Sequence, residues 1–224
     1  MSNVAPELIV MLTHHDKTVE NAIEVFEGAK DAPAKYWGFK EVGLPIPDMK
    51  ILVQKMKDAG KKTCLEIVDY TEEGCLAGAK IGVECGFDIV MGTLYFDSVR
   101  DLLIENKVEY MPFVGKLSGR PSVLDGTIEE IIAEAQYLVK EKGIKGFDLL
   151  GYRYVGDAVK LNNEFVKNAG VPVCLAGSVQ SYQRLDEVKA TGAWAFTIGG
   201  AFFENKFDGT FAEQITKVVE YMKR

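Results

Sequence analysis

Residues 173–203 read VCLAGSVQSYQRLDEVKATGAWAFTIGGAFF, and this stretch holds one complete unit of a repeating pattern. A short apolar run, Val173-Cys174-Leu175-Ala176, gives way to small residues at Gly177 and Ser178. A helical run follows and ends at Gly192, where a left-handed residue releases the chain from a helix. A second apolar run, Phe196-Thr197-Ile198, then meets Gly199-Gly200-Ala201. Strand, helix and strand in this order form a βαβ unit, whose strands lie parallel and whose crossover is right-handed.

The same unit recurs outward from this stretch. Apolar runs rich in β-branched residues fall at 8–13, 36–42, 63–69, 88–95, 110–115, 147–152, 173–179 and 195–203, which predicts eight strands. Gly60, Gly86, Gly143 and Gly170 each follow a helical run and precede the next strand, as Gly192 does. Between strands, 128–142 places Ile128, Ile131, Ile132, Ala135, Leu138 and Val139 on one stripe beside Glu129, Glu130, Glu134 and Lys140. That stripe predicts a surface helix packed on a sheet. Eight right-handed repeats predict an α/β fold, a closed eight-stranded parallel β/α (TIM) barrel formed by 1–224 as a single domain, near the roughly 250 residues typical of such barrels. An open doubly wound sheet would carry a GxGxxG turn after its first strand, and here that position reads Thr13-His14-His15-Asp16.

Hydrophobic residues make up 47% of the chain and charged residues 26%, the composition of a folded domain with a sizeable core. The net charge of −7 repels phosphodiester backbones and anionic lipid. No nucleic-acid or membrane partner is therefore expected, and a small anionic ligand needs a local positive pocket. No apolar stretch reaches the ~20 residues that span a bilayer. Residues 1–7 lack the basic and apolar regions of a secretory leader, so a cytoplasmic protein is expected, one compatible with homo-oligomers. Cys64, Cys75, Cys85 and Cys174 sit in apolar contexts without CxxC spacing and read as reduced core thiols. HExxH, Walker and Gly-x-Ser-x-Gly patterns do not occur, so no metal and no cofactor is called for.

In a closed barrel, function collects at the C-terminal strand ends. At the last two of these, Gly177, Ser178, Gly199 and Gly200 let backbone amides approach and converge on one anion. A phosphate group, or inorganic phosphate or sulfate, is the expected occupant. The segment 176–207, AGSVQSYQRLDEVKATGAWAFTIGGAFFENKF, resembles the phosphate-binding quarter of the ribulose-phosphate-binding barrels, which include the histidine- and tryptophan-biosynthesis isomerases. That resemblance implies a small phosphorylated metabolite as ligand, gripped at those four residues, and does not imply one reaction. Strand one ends in Thr13-His14-His15, where the histidine-pathway isomerase has a catalytic Asp and the tryptophan-pathway one a Cys. The Asp-x-Lys-x-x-Asp pattern of the orotidylate decarboxylases is absent.

Ionisable groups inside apolar strands must be paired or useful. Glu66 interrupts Cys64-Leu65-Glu66-Ile67-Val68, and Lys40 stands beside it at the end of strand two. Alternation puts Lys40 and Glu41 on opposite faces, and Lys40 is favoured as the pocket residue. Lys40, Glu66 and His14 are the candidate catalytic residues, with His15 the alternative histidine. Thr93, Lys116, Tyr152 and Arg153, at further strand ends, are candidate substrate contacts, and Asp69 stands at another. The segment 115–126, GKLSGRPSVLDG, with Lys116 and Arg120, reads as a lid or a mobile surface loop. The leading expectation is an isomerase or epimerase of a sugar phosphate working by acid-base proton transfer. An aldolase or lyase forming an imine at Lys40 and a noncatalytic phosphometabolite sensor are the alternatives.

Overall fold

In the computed structural model, which describes residues 5–224, the predicted repeat closes on itself; residues 1–4, where the segment examined for a leader begins, lie outside the described residues. Eight parallel strands form one sheet: β1 (Glu7–Met11), β2 (Tyr36–Lys40), β3 (Lys62–Ile67), β4 (Ile89–Gly92), β5 (Glu109–Met111), β6 (Phe147–Leu149), β7 (Val173–Leu175) and β8 (Ala195–Ile198). Each pairs with its sequence neighbour from β1 to β5 and from β6 to β8, and β1 pairs with β8 through Leu8 and Phe196. The remaining seam, between β5 and β6, is bridged where Asp148 N donates to Pro112 O at 3.1 Å. The fold is therefore a nearly closed α/β TIM barrel and not an open sheet.

The helices follow the strands: α1 (Ala22–Ala29), α2 (Ile46–Asp58), α3 (Glu72–Cys85), α4 (Asp97–Glu105), α5 (Ile128–Lys142), α6 (Ala158–Asn168), α7 (Tyr182–Thr191), α8 (Gly200–Phe203) and α9 (Phe211–Lys223). Helix α5 has the bounds its stripe predicts and buries Ile131, Ala135 and Leu138. It starts in a capping box, in which Thr127 accepts from the Glu130 amide while the Glu130 carboxylate accepts from the Thr127 amide. It ends at Gly143 in the left-handed region, as α3 and α7 end at Gly86 and Gly192. No helix among the described residues is long and apolar enough to cross a membrane.

Strand alternation produces two cores. Outward residues such as Val10, Phe39, Leu65, Phe147 and Phe196 meet the helices. A smaller inner core of Ile9, Met11, Cys64, Ile89, Met91, Met111, Cys174 and Ala195 fills the barrel. Gly38 is forced by this filling, because a Cβ there would stand 2.6 Å from Cys64 O. All four cysteines are free and buried, and burial pushes the Cys64 and Cys174 thiols up, so both stay neutral.

The strands end earlier than their apolar runs. Strand β7 stops at Leu175 because Gly177 and Ser178 take left-handed backbone conformations, φ 85° and 52°. Strand β8 stops at Ile198, and the apolar residues after it are helical, in α8. The segment 115–126 is a hairpin of Lys116–Ser118 and Val123–Asp125 and not a structureless loop. A second hairpin, Thr13–His14 with Lys17–Thr18, follows β1. Its turn residues His15 and Asp16 are left-handed, φ 49° and 63°.

Candidate functional site

A cavity of about 780 Å³ opens at the C-terminal end of the barrel, on the floor formed by Met11, Lys40, Glu66 and Thr197. Strand β2 delivers Lys40 inward, where it is 5% exposed, and register places it directly beside Glu66 of β3. The ammonium lies 2.5 Å from Asp16 Oδ1 and 3.8 Å from Glu66 Oε1. Burial pulls the Lys40 pKa down, but the adjacent Glu66 charge and the Asp16 hydrogen bond outweigh it. The net shift is upward, so Lys40 is an ammonium at neutral pH. Glu41 points away from the cavity and accepts a hydrogen bond from Val68 N at 2.9 Å; burial pushes its pKa up.

Asp16 reaches Lys40 because the hairpin after β1 is pinned to β2. The buried Thr18 hydroxyl donates to Lys40 O at 2.8 Å and accepts from Lys40 N at 2.9 Å. Sequence reasoning stopped at the neighbouring histidines and missed Asp16, whose left-handed turn carries no periodic signal. It also missed Asp148, a carboxyl in the middle of the apolar strand β6.

The other wall of the cavity is built by the loops after β7 and β8, which bring Gly177, Ser178, Gly199 and Gly200 together. Among the described residues, the amides of Gly177, Ser178, Gly200 and Ala201 donate to no backbone carbonyl outside their own element. Gly199 passes so close to the hairpin that a Cβ would stand 2.5 Å from Thr13 Oγ1, whereas a Cβ on Gly200 would meet nothing nearer than His14 Cδ2 at 3.4 Å. Arg153 lies over Gly177 and makes no ion pair among the described residues. Strands β2 and β6 are diametrically opposed in an eight-stranded ring, and Lys40 and Arg153 both line the cavity.

Gly177→Ala is expected to strain a backbone at φ 85° and to press its new methyl to 2.8 Å from Arg153 Cγ. The left-handed penalty is about 1–2 kcal/mol. Chemical denaturation should register that loss, and titration with inorganic phosphate should show about tenfold weaker binding, equivalent to ~1.4 kcal/mol.

His14 stands at the glycine loops and not beside Glu66. Its ring stacks on Phe203 at 5.7 Å between centroids, and its Nε2 lies 3.6 Å from Glu204 Oε1 without a hydrogen-bond partner. His15 packs against it and also lines the cavity. Of the residues predicted to contact substrate, the structure brings only Arg153 into the cavity. Thr93 is fully buried at φ 66° and its hydroxyl pairs with Tyr110 Oη at 2.6 Å. The Tyr152 ring lies under the Arg184 guanidinium, 4.2 Å from its centroid, facing the helices. Lys116 is exposed on its hairpin, outside the lining. Arg120, on the turn of that hairpin, does reach the cavity rim and donates to Val68 O at 2.7 Å. Asp69 accepts from the amide and hydroxyl of Thr71, the N-cap residue of α3. No group of His, Cys, Asp and Glu able to hold a metal occurs among the described residues.

No protein-family model and no curated protein sequence matches the chain. Solved structures do. The chain is similar to orotidine 5'-monophosphate decarboxylase of Methanocaldococcus jannaschii, complexed with the inhibitor BMP, at 13% identity, with a TM-score of 0.72 over 99% of this chain and 100% of that one. It is similar to N-acetylmannosamine-6-phosphate 2-epimerase of Clostridium perfringens at 16% identity, TM-score 0.64, over 97% and 93%. It is also similar to the glycerol uptake operon antiterminator regulatory protein of Listeria monocytogenes at 14% identity, TM-score 0.59, over 88% and 94%. The shared feature is the fold, an eight-stranded β/α barrel.

Proposed function

We propose that this barrel binds a small phosphorylated metabolite by its phosphate and exchanges a proton next to the metabolite's carbonyl, as an isomerase or epimerase. The observation that carries the reading is the division of one cavity into two ends: glycine-loop amides with the unpaired Arg153 at one, and the Lys40–Glu66 pair at the other. The amides and guanidinium suit a phosphate, since both donate hydrogen bonds and neither carries a competing anion. Glu66 opens on the cavity and, among the described residues, its carboxylate accepts no hydrogen bond, which leaves it available as the base. The Lys40 ammonium beside it suits a developing enolate oxygen, because a fixed positive charge in a half-buried site stabilises charge that appears only in the transition state. His14, at the phosphate end, is placed to contact the phosphate or the sugar hydroxyls next to it.

Incubation with a panel of phosphorylated ketoses and amino sugars in deuterated water tests the reading directly. Deuterium should enter the carbon next to the carbonyl of at least one of them. A panel that binds and stays unlabelled would favour a sensor, the reading to which the antiterminator neighbour lends support. Borohydride separates proton transfer from an imine mechanism. The upward-shifted Lys40 is a poor nucleophile, so reduction in the presence of the same ketoses should leave no lysine adduct by mass spectrometry.

A further inference from the structure

Strand β6 contributes one inward side chain to the barrel, and it is a carboxyl. Phe147 and Leu149 face the helices, while Asp148 between them is 0% exposed, and neither of its oxygens has a hydrogen-bond partner among the described residues. The charged and titratable groups around it are Lys40 of β2, Glu66 and Cys64 of β3 and Cys174 of β7. The other strands turn Met11, Met91, Met111 and Ala195 into the same interior. An ionised carboxylate without hydrogen bonds in such surroundings is costly, and the group takes up a proton instead. Lys40 offsets this only in part, because its ammonium is held at Asp16 and then at Glu66.

We propose that Asp148 is a positioning residue of the site, a carboxylic acid kept neutral beneath Glu66 so that, of the two carboxyls that the barrel strands turn inward, only Glu66 carries negative charge to the cavity floor. With Asp148 neutral, the ammonium of Lys40 is offset by two carboxylates, Asp16 and Glu66. With Asp148 ionised there would be three, and an anionic substrate whose carbonyl gains further negative charge would be repelled from the floor. The charge state of Asp148 stands on its burial alone, whereas its effect on turnover rests on the proton-transfer reading above.

The shift of Asp148 is upward from its ordinary 3.8, caused first by burial and then by the Glu66 charge. An acid whose pKa is raised by folding favours the folded state below its unfolded pKa, and loses that contribution as pH rises towards the folded pKa, because only the unfolded chain releases the proton. Denaturation of wild type and Asp148→Asn from pH 5 to pH 8 should therefore show the variant gaining stability relative to wild type as pH rises. A stability difference that stays constant over the same range would mean an Asp148 already ionised in the folded state and would overturn the proposal. Should Asp148→Asn not fold, carbon NMR of aspartate-labelled wild type decides the same point: one carboxyl should remain at the neutral-acid position at pH 7, and its absence sinks the idea. For the positioning role, deuterium exchange on the responsive substrate should fall at the alkaline end in wild type and stay level in Asp148→Asn. Identical alkaline limbs overturn that role. Absence of exchange in wild type would instead refute the proton-transfer reading while leaving the stability result to decide the charge of Asp148.

Discussion

Gly200→Asp is expected to abolish phosphate binding while the barrel stays folded. The new Cβ has room, with His14 Cδ2 its nearest neighbour at 3.4 Å, so the substitution does not collide with the backbone as one at Gly199 would. Its carboxylate would stand among the loop amides proposed to hold the phosphate. Two like charges about 4 Å apart in a half-buried site repel by about 4 kcal/mol at an effective dielectric near 20. Even with half of that relaxed, affinity for inorganic phosphate or a sugar phosphate falls about 30-fold, and the full term removes it. Gly200→Ala is the control: it adds the same Cβ without charge and should bind within about threefold of wild type. Calorimetric titration of both variants checks this, and retained affinity in Gly200→Asp would place the phosphate elsewhere.

The second large effect concerns turnover and not binding. Glu66→Gln keeps the shape of the side chain and leaves Lys40 with its nearer partner, Asp16, 2.5 Å away, so the fold and the phosphate grip should survive. What is lost is the base. General-base catalysis contributes roughly 10²–10⁴-fold, and deuterium incorporation should drop by that factor while phosphate affinity stays within about twofold of wild type. A fall in both together would assign Glu66 to binding. Lys40→Met is a weaker probe, because it strands Asp16 and Glu66 without their cation; breaking such a buried pair costs about 3–5 kcal/mol of stability.

The barrel was legible because its units obey local rules that nothing in the tertiary structure overrides. Each apolar run became a strand, the 128–142 stripe became α5, and the left-handed glycines stand where helices end. Strand ends were read less well, since an apolar residue looks alike in a strand and in the turn above it. Residues 199–203 are apolar and small, yet they start a helix. The site was legible where alternation within a strand sets direction, as for Lys40 and Glu66. Beyond the last paired residue alternation no longer applies. Thr93, turned by its positive φ, finds Tyr110 in place of a ligand, and Tyr152 leaves through a 3-10 turn towards the helices while Arg153, next to it, reaches the cavity. Asp148 was within reach of the same reasoning that found Glu66, a lone carboxyl in an apolar strand. Asp16 was not, because its contact with Lys40 depends on a hairpin of two-residue strands, too short to show a period in the sequence.

That hairpin makes the floor of the cavity a composite. The cation comes from the barrel wall, but its nearest counter-ion arrives on a six-residue hairpin, 13–18, anchored to the wall by the hydroxyl and the amide of Thr18. The scaffold and the electrostatic setting of its reactive end are thus separable modules. Replacing the hairpin would change the charge that Lys40 meets without altering any strand of the eight-stranded sheet.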